Sequence, residues 1–288
     1  MNELKFGFLP YKFNICNEVF EINTLASIEE SFNCFKTNLI KDHSDYICYP
    51  KYKEKLKLPS SHTLKIKGKG VNDEYFLYYL VHVIGFYFDQ WLMPNTYWFD
   101  GAIKFNTMEI KEAQIHNLED LIEKSIKNYK SIPKNCKYKN TLISALYSYN
   151  SYKKFIWEFE WLFELYKSFD ALWQYSTCCL KNEELIHQHQ LLEKTKSKHE
   201  RRLIAVYNFL EIQESELSID ILDKVYKLRN ELIHEARWDG EILGHKASTH
   251  ETFMSVIHFS FFIERFMKFA LVNDKKFNFL KPNLWGNI

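Results

Sequence analysis

Glycine and proline are scarce in this sequence, and neither sign of charge is in excess. Eight glycines and six prolines among 288 residues exclude collagen-like, propeller-like and low-complexity chains. The 38 lysines and arginines are nearly matched by 37 aspartates and glutamates, which leaves a net charge of +1. Any contact with nucleic acid would therefore need a local basic patch, because the chain as a whole is not a polycation.

The sequence also lacks the signs of an oxidised, secreted or membrane-spanning protein. Its six cysteines form no CxxC pair, and Cys178 and Cys179 are adjacent, which does not suit an ordinary disulfide. Its beginning has no basic segment followed by an apolar core and a small-residue cleavage site. The strongest candidate for a membrane span, Tyr75 to Phe88, is shorter than the roughly 20 residues required. We predict a cytoplasmic protein with reduced cysteines and no membrane segment.

Motifs for metals and cofactors are missing as well. The sequence contains no P-loop, GxGxxG, GxSxG or zinc pattern. His187 and His189 would lie about 200° apart on a helix, which disfavours binding of one shared metal. His245, His250 and His258 are not accompanied by a carboxylate or thiol pattern. We therefore predict neither a metal nor a cofactor.

The first part of the chain has mixed periodicity. Leu4, Phe6 and Phe8, and later Leu64 and Ile66, alternate with lysine or glycine, which predicts strands. Further elements are predicted as a buried helix over 73–93, a strand over 96–99 that enters a turn before Ile103 and Phe105, and a helix over 109–130. The sequence 131–135 is a plausible boundary. We predict a mixed α/β domain over residues 1–135 and assign it no family.

The rest of the chain has helical spacing. Apolar residues predict one helix over 155–173, a second over 183–212 with a break at 195–197, a third over 218–236 and a fourth over 249–272. The loop between the last two contains Trp238–Gly240, and the core candidates of the fourth helix are Phe253, Ile257, Phe261 and Met267. These patterns predict a helical bundle over residues 140–288, and an α+β fold for the whole chain.

Arginine is confined to this second part. All five arginines (Arg201, Arg202, Arg229, Arg237 and Arg265) follow residue 200, whereas lysine occurs throughout. A coding bias towards lysine would act on the whole chain, so the retained guanidinium groups point to a need for planar donors that bind phosphate or carboxylate. Structural ion pairs within the bundle are the alternative explanation.

The third predicted helix contains the pattern Arg-Asn-x-x-x-His, formed by Arg229, Asn230 and His234. Leucine and isoleucine residues flank the residues of this pattern. A long aromatic helix precedes it, and a loop and a final helix follow it. In these features the segment resembles the HEPN superfamily, in particular its Apea-like branch. The resemblance covers roughly residues 140–275. It implies a helical bundle, metal-independent cleavage of RNA by Arg229, Asn230 and His234, and a role as a toxin or in anti-phage defence.

The chemistry of these residues suits RNA cleavage through the 2′-hydroxyl. Histidine, with an ordinary pKa of about 6.5, transfers protons at neutral pH, and arginine can hold two phosphate oxygens. Asn230 and His234 share one helix face, so the amide could orient the imidazole. Arg229 and His234 lie about 140° apart on an ideal helix, so a shared phosphate needs a helix end, a distortion or a second copy of the chain. The resemblance implies the last of these, a homodimer with a composite site.

Other residues have two readings. Lys194, Lys196, Lys198, Arg201 and Arg202 form a basic stretch that would contact RNA, although a solvated charged surface explains it equally well. Glu158, Glu160 and Asp170 could face the bundle and tune the site, or form surface ion pairs. Arg229 and His234 could themselves be structural.

The sequence thus predicts a metal-independent endoribonuclease with RNA as its substrate. Cleavage would leave a 2′,3′-cyclic phosphate and a 5′-hydroxyl. The alternative is a non-catalytic module that binds nucleotide or RNA, or that dimerises and regulates a partner enzyme. A regulatory or antitoxin partner fits either prediction.

Overall fold

The computed structural model describes residues 3–36, 39–42, 45–48, 56–67, 74–95, 97–99, 103–105, 107, 109–113, 115–155, 157–193, 196–244, 248–277, 279 and 281. These residues form two compact units. The first comprises the described residues of Met1–Lys127 and of Phe279–Ile288, and the second comprises those of Asn128–Asn278. The predicted boundary at residue 135 lies shortly after this division.

The first unit contains an antiparallel sheet and short accessory strands. Its strands are β1 (Glu3–Gly7), β2 (Tyr11–Lys12), β3 (Ile15–Cys16), β4 (Phe20–Thr24), β5 (Leu39–Asp42), β6 (Asp45–Cys48), β7 (Leu56–Leu58), β8 (His62–Ile66), β9 (Met93–Pro94), β10 (Tyr97–Phe99), β11 (Ile103–Phe105) and β12 (Lys111–Glu112). Its helices are α1 (Ile28–Lys36), α2 (Glu74–Tyr87) and α3 (Leu118–Ser131), the last of which continues into the second unit. The main sheet has the order β3-β4-β8-β1-β9.

The predicted strand pattern is confirmed in two neighbouring strands of this sheet, β1 and β8. Leu4 pairs with Leu64 and Phe6 with His62 across β1 and β8. The apolar members of the alternation, Leu4, Phe6, Leu64 and Ile66, are buried, as expected for a sheet with one face in the core.

Two predicted helices of this unit have different bounds. The helix predicted over 73–93 ends at Tyr87, because Asp89 adopts a left-handed conformation with φ 51° and Met93 then pairs with β1. The helix predicted over 109–130 begins only at Leu118, after Asn117 with φ 66°. Neither left-handed residue is a glycine, so neither position carried a clear signal for the end or the start of a helix.

The strand predicted at 96–99 is present as β10, but it does not pair with the segment that contains Ile103 and Phe105. β10 pairs with β7, and β11 pairs with β6. Local spacing alone does not distinguish a hairpin from two strands with partners elsewhere in the chain.

The second unit is helical. Its elements are α4 (Thr141–Ser151), a short 3₁₀ turn (Tyr152–Lys154), α5 (Glu158–Gln174), the α5 π segment (Tyr175–Cys179), α6 (Glu183–Leu191), α7 (Lys198–Phe209), α8 (Ile219–Asn230), the α8 π segment (Glu231–Glu235), β13 (Arg237–Trp238), β14 (Glu241–Ile242) and α9 (His250–Val272). Helix α5 packs against α4, α8 and α9, and α6 packs against α7. Together the two units make the chain an α+β protein.

The four predicted helices of this unit are present, with a break between α6 and α7 where one was expected. Helix α4 and the short hairpin β13–β14 were not predicted. Of the core candidates in α9, Met267 is buried, whereas Phe261 is 59% exposed and its assignment to the core was wrong. Over the described residues, no helix is both long and apolar enough to span a membrane.

Candidate active site

Helix α8 and its π segment hold the predicted site. Ser218 caps the helix by accepting a hydrogen bond from the Asp220 amide at 3.3 Å. Leu222, Val225 and Leu228 are buried and fix one face of α8 in the core. The two residues that follow, Arg229 and Asn230, are therefore half-buried at the edge of the bundle.

The hydrogen-bond pattern changes directly after Asn230. The Ala236 amide donates to the Glu231 carbonyl, five residues earlier, which defines a single π turn in place of an α turn. Ala236 has φ 51° and ends the helical segment. Because a π turn holds more residues than an α turn, side chains five positions apart come onto nearly the same face. The distortion that the Arg229–His234 spacing required is therefore present within one chain.

Arg229 joins the two other residues of the motif. Its Nη1 lies 3.0 Å from the Asn230 Oδ1 and 3.3 Å from the His234 Nε2. The predicted hydrogen bond between the Asn230 amide and the imidazole is not present: Asn230 orients the guanidinium instead. His234 is exposed, so the group suited to proton transfer is open to solvent.

The surroundings of Arg229 set it apart from the other arginines. Arg201, Arg202, Arg237 and Arg265 each lie within ion-pair distance of a carboxylate, on Glu193, Asp170, Glu235 and Glu216 respectively. Among the described residues, no carboxylate forms an ion pair with Arg229. The ion-pair explanation thus fits four arginines and does not fit the one in the motif.

An aromatic ring supports the Arg229 guanidinium. Its central carbon lies 5.7 Å from the centre of the Tyr166 ring, within the range of a cation–π contact. Tyr166 is buried on α5, and its hydroxyl has no hydrogen-bond partner among the described residues. Burial raises the pKa of Tyr166 above its ordinary value, so the ring stays neutral.

A histidine and an ion pair border the same ring. The His199 ring lies 6.5 Å from the Tyr166 ring, and its Nδ1 lies 3.9 Å from the Asp170 Oδ1. The same Asp170 oxygen accepts a hydrogen bond from the Arg202 Nη1 at 2.9 Å. Burial and the charge of Arg229 lower the pKa of His199, and Asp170 opposes them. This imidazole is therefore mainly neutral near pH 7.

The basic stretch, which runs into the first turns of α7, is only partly free. Lys196 pairs with Glu200 at 2.6 Å, Arg201 lies 3.8 Å from Glu193, and Lys198 is exposed. Lys194 lies outside the described residues. The Arg202 guanidinium also lies 5.8 Å from the centre of the Trp173 ring, which in turn contacts His189. Arg202 and Arg229 both lie close enough to His199 to lower its pKa, so the predicted RNA-contacting surface approaches the site through Arg202.

The hairpin β13–β14 braces the α8 π segment. Glu231 accepts a hydrogen bond from the Gly240 amide at 3.0 Å, and Arg237 donates to the Gly240 carbonyl. Gly240 has φ 78°, a conformation that costs glycine little. The buried Trp238 donates to the Ser248 hydroxyl at 2.6 Å. These contacts hold the backbone next to His234 while its side chain remains exposed.

The predicted tuning residues divide into two groups. Asp170 lies beside His199, where it could tune the site, and it also forms an ion pair with Arg202. Glu160 accepts a hydrogen bond from the Trp157 amide at 3.3 Å and serves to cap α5. Glu158 accepts from the Ser248 hydroxyl at 3.3 Å. The two glutamates are thus engaged in structural contacts.

Sequence reasoning missed Tyr166 and the position of His199. The helical spacing over 155–173 includes Tyr166, and of the segment 199–202 only Arg201 and Arg202 were predicted to contact RNA. Pairs at i and i+4 on α5 (Tyr166, Asp170) and at i and i+3 on α7 (His199, Arg202) would have indicated two polar faces. Nothing in the sequence shows that these faces meet. In the part of the chain that is described, no group of three or more histidines, cysteines or acidic residues is arranged to hold a metal ion.

Comparisons with models of protein families, with curated proteins and with solved structures find no match to this chain. What the site can do is therefore argued from its chemistry. The site offers the exposed imidazole of His234, the neutral imidazole of His199, and the guanidinium of Arg229, which forms no ion pair with a described carboxylate. These groups suit an anion that carries a transferable proton nearby.

Proposed function

We propose that this chain is a metal-independent endoribonuclease. The α8 π segment would present Arg229 to the scissile phosphate and His234 to a reacting oxygen. The observation that carries the proposal is the 3.3 Å contact between the Arg229 Nη1 and the His234 Nε2 across that segment. Such turns are rare, and they occur often at functional sites.

RNA fits this pair because it supplies its own nucleophile. The 2′-hydroxyl attacks the adjacent phosphorus, the bond to the 5′-oxygen breaks, and the products are a 2′,3′-cyclic phosphate and a 5′-hydroxyl. Arg229 would bind the phosphate oxygens and stabilise the charge of the transition state, with its guanidinium held by Asn230 and Tyr166. His234 would take part in proton transfer.

The likeness of Arg229-Asn230-x-x-x-His234 to the HEPN superfamily supports the same function, with a HEPN-like helical bundle as its fold. It is also the sole support for a role as a toxin or in anti-phage defence. In that setting the first unit would sense a trigger, hold the activity down or select the RNA. A homodimer, a regulatory or antitoxin partner and a cytoplasmic location remain predictions from the sequence.

The test is cleavage of a labelled single-stranded RNA by the purified chain in EDTA. We expect fragments that end in 2′,3′-cyclic phosphate and 5′-hydroxyl. A substrate with a single 2′-deoxynucleotide at the scissile position should resist, because it lacks the nucleophile. Cleavage that requires Mg²⁺ and leaves 5′-phosphate ends would contradict this mechanism.

The non-catalytic alternative makes the opposite prediction. A module that only binds RNA or nucleotide would retain the labelled RNA intact in a gel-shift assay under the same conditions. Its binding would fall in Arg229→Ala, since the phosphate contact is shared by both functions, but it would not depend on the 2′-hydroxyl.

A further inference from the structure

Cleavage through the 2′-hydroxyl uses two proton transfers, and the motif supplies one imidazole. One group must take the proton of the attacking hydroxyl, and another must give a proton to the departing 5′-oxygen. The acidic residues that could tune the site are engaged elsewhere, because Glu160 caps α5 and Asp170 is held by Arg202. His199 offers a second imidazole, since its ring borders the Tyr166 ring and Arg229 lies close enough to lower its pKa.

We propose that His199, in the same chain as His234, is the second proton-transfer residue of the site. This inference rests on the proposed endoribonuclease function. His199 accepts the proton of the 2′-hydroxyl. His234, whose Nε2 takes up a proton once Arg229 turns from it to the phosphate, donates that proton to the 5′-oxygen. The 2′-oxygen bonds to phosphorus as the bond from phosphorus to the 5′-oxygen breaks. After this step His199 is protonated and His234 is neutral, and proton exchange with water restores the starting form of each residue.

The arrangement of helices α5 and α7 supports this assignment. Tyr166 and Asp170 share a face of α5, and His199 and Arg202 share a face of α7. The two faces meet through the Arg202–Asp170 hydrogen bond at 2.9 Å and the Tyr166–His199 ring contact. The ring of His199 is thus held between a carboxylate and an aromatic ring.

Arg229 connects the two imidazoles. It contacts the His234 Nε2 at 3.3 Å and lies over the Tyr166 ring, which also borders His199. Its charge is close enough to lower the pKa of His199. A phosphate bound by this guanidinium would therefore have two imidazoles near it.

The orientation of His199 leaves its Nε2 atom available to accept a proton as the base. Its Nδ1 is buried, has no hydrogen-bond partner among the described residues and faces the Asp170 carboxylate, while 30% of the side chain is exposed. A proton on Nδ1 is favoured next to the carboxylate, so the Nε2 side of the ring is the one that accepts.

The charges around His199 favour its neutral form. Asp170 faces it from α5 and Arg229 from α8, and Arg202 and Lys198 lie on its own helix. Burial and the three positive groups lower the pKa of His199, against the effect of Asp170. The basic form therefore persists below the pH at which an ordinary histidine is protonated.

The experiment compares two RNA substrates that differ in one atom. The first is a short RNA with an ordinary scissile phosphate, and the second has sulfur in place of the bridging 5′-oxygen. A thiolate leaves without a proton, so the sulfur substrate needs a base but no acid. On the ordinary substrate, His199→Ala and His234→Ala should each lose about 10² to 10⁴ in rate. The sulfur substrate should restore His234→Ala and leave His199→Ala slow.

Controls separate catalysis from structure. His187→Ala removes an exposed histidine from α6 and should keep the wild-type rate on both substrates. His199→Gln retains a polar side chain and guards against a folding defect, which thermal melting would reveal. Asp170→Asn should move the acid limb of the pH–rate profile to lower pH, because removal of the carboxylate lowers the pKa of His199 further. A purely structural Asp170 would leave that limb in place.

The outcomes distinguish this inference from the function on which it rests. A wild-type protein that cuts neither substrate overturns both. Wild-type cleavage together with full activity of folded His199→Ala and His199→Gln overturns the inference alone, and indicates a site that pairs two copies of His234 across a dimer. Mixing His199→Ala with His234→Ala should restore no activity if both imidazoles act within one chain. Restoration would assign them to different chains and contradict the proposal.

Discussion

The two π segments of the helical unit share a hydrogen-bond pattern but differ in their surroundings. In the α5 π segment the Leu180 amide donates to the Tyr175 carbonyl, and in the α8 π segment the Ala236 amide donates to the Glu231 carbonyl. The first segment has Tyr175, Ser176 and Cys179 buried, whereas the second has no buried residue.

Under the proposed function, one backbone distortion serves two purposes. A π turn shifts the face on which the following side chains lie, relative to an α-helix. After α5 the shift turns Tyr175 and Cys179 into the core, where packing stabilises it. After α8 the shift brings His234 next to Arg229 while both remain accessible. A distorted turn that gains no burial has to be explained by something other than packing, and the proposed site provides that explanation.

The largest expected effect concerns the exposed segment. Arg229→Ala and His234→Ala should each reduce RNA cleavage by about 10² to 10⁴, since each removes a group that acts on the reacting phosphate. The free energy of unfolding of His234→Ala should stay within about 0.5 kcal/mol of the wild type, because the side chain is exposed. Cleavage rates and denaturant midpoints of the same preparations measure both quantities.

Arg229→Lys and Arg265→Ala are the control variants for Arg229→Ala. The first keeps the charge but loses the planar donors, so it should stay well below the wild-type rate. The second removes an arginine whose partner is Glu216 and should leave cleavage unchanged. Normal cleavage by folded Arg229→Ala and His234→Ala would show that the site lies elsewhere, and unfolding of both would favour a structural role for the motif.

The buried segment should show the reverse. Tyr175→Ala should lower the free energy of unfolding by about 3 to 5 kcal/mol, as expected when a large aromatic side chain leaves a cavity. Cleavage per folded molecule should not change. Tyr175→Phe keeps the packing and loses only the 3.5 Å contact with Asn128, so its cost should be at most about 1 kcal/mol. An unstable Tyr175→Phe would mean that the hydroxyl, and not the ring, stabilises this segment.

The contrast between the segments also explains what the sequence could predict. Helical spacing and the expected break at 195–197 place α7 and α8 correctly, because both depend on nearby residues. Helix geometry also indicates that a phosphate shared by Arg229 and His234 needs a helix end, a distortion or a second copy of the chain. That the distortion is a π turn, braced by Glu231 and Gly240, depends on a hairpin that the spacing did not predict.

The partners of Arg229 illustrate the limit more sharply. Asn230, one residue away, was expected to orient His234, but it contacts Arg229, because side-chain direction at the start of a π turn differs from that in an α-helix. Tyr166 and His199 come from helices that precede the motif by many residues. Their approach depends on the packing of α5 and α7 against α8. The spacing of apolar residues in a single sequence predicts helices but not which of their faces meet.

Asn230→Ala should have a smaller effect than loss of either principal residue. It removes one hydrogen bond to a charged group, worth about 1.5 to 3 kcal/mol, so cleavage should fall by about 10- to 100-fold. Asn230→Asp keeps an acceptor at that position but adds a negative charge that competes with phosphate for Arg229. Its KM for RNA should therefore rise more than that of Asn230→Ala. Equal KM values for the two variants would mean that Asn230 does not set the availability of the guanidinium.

The smallest effect is a labelling difference within the α5 π segment itself. Cys178 is exposed and Cys179 is buried, although they are adjacent. Burial, together with contact with Cys136, raises the pKa of Cys179 to about 12, so its thiol stays protonated near neutral pH. Because the thiolate is the reactive form, iodoacetamide should label Cys178 in the folded protein and reach Cys179 only after denaturation. Tandem mass spectrometry of the peptide that contains both residues resolves the two sites. Rapid labelling of Cys179 under native conditions would show that the turn opens, and would remove the distinction between a packed and an exposed π segment.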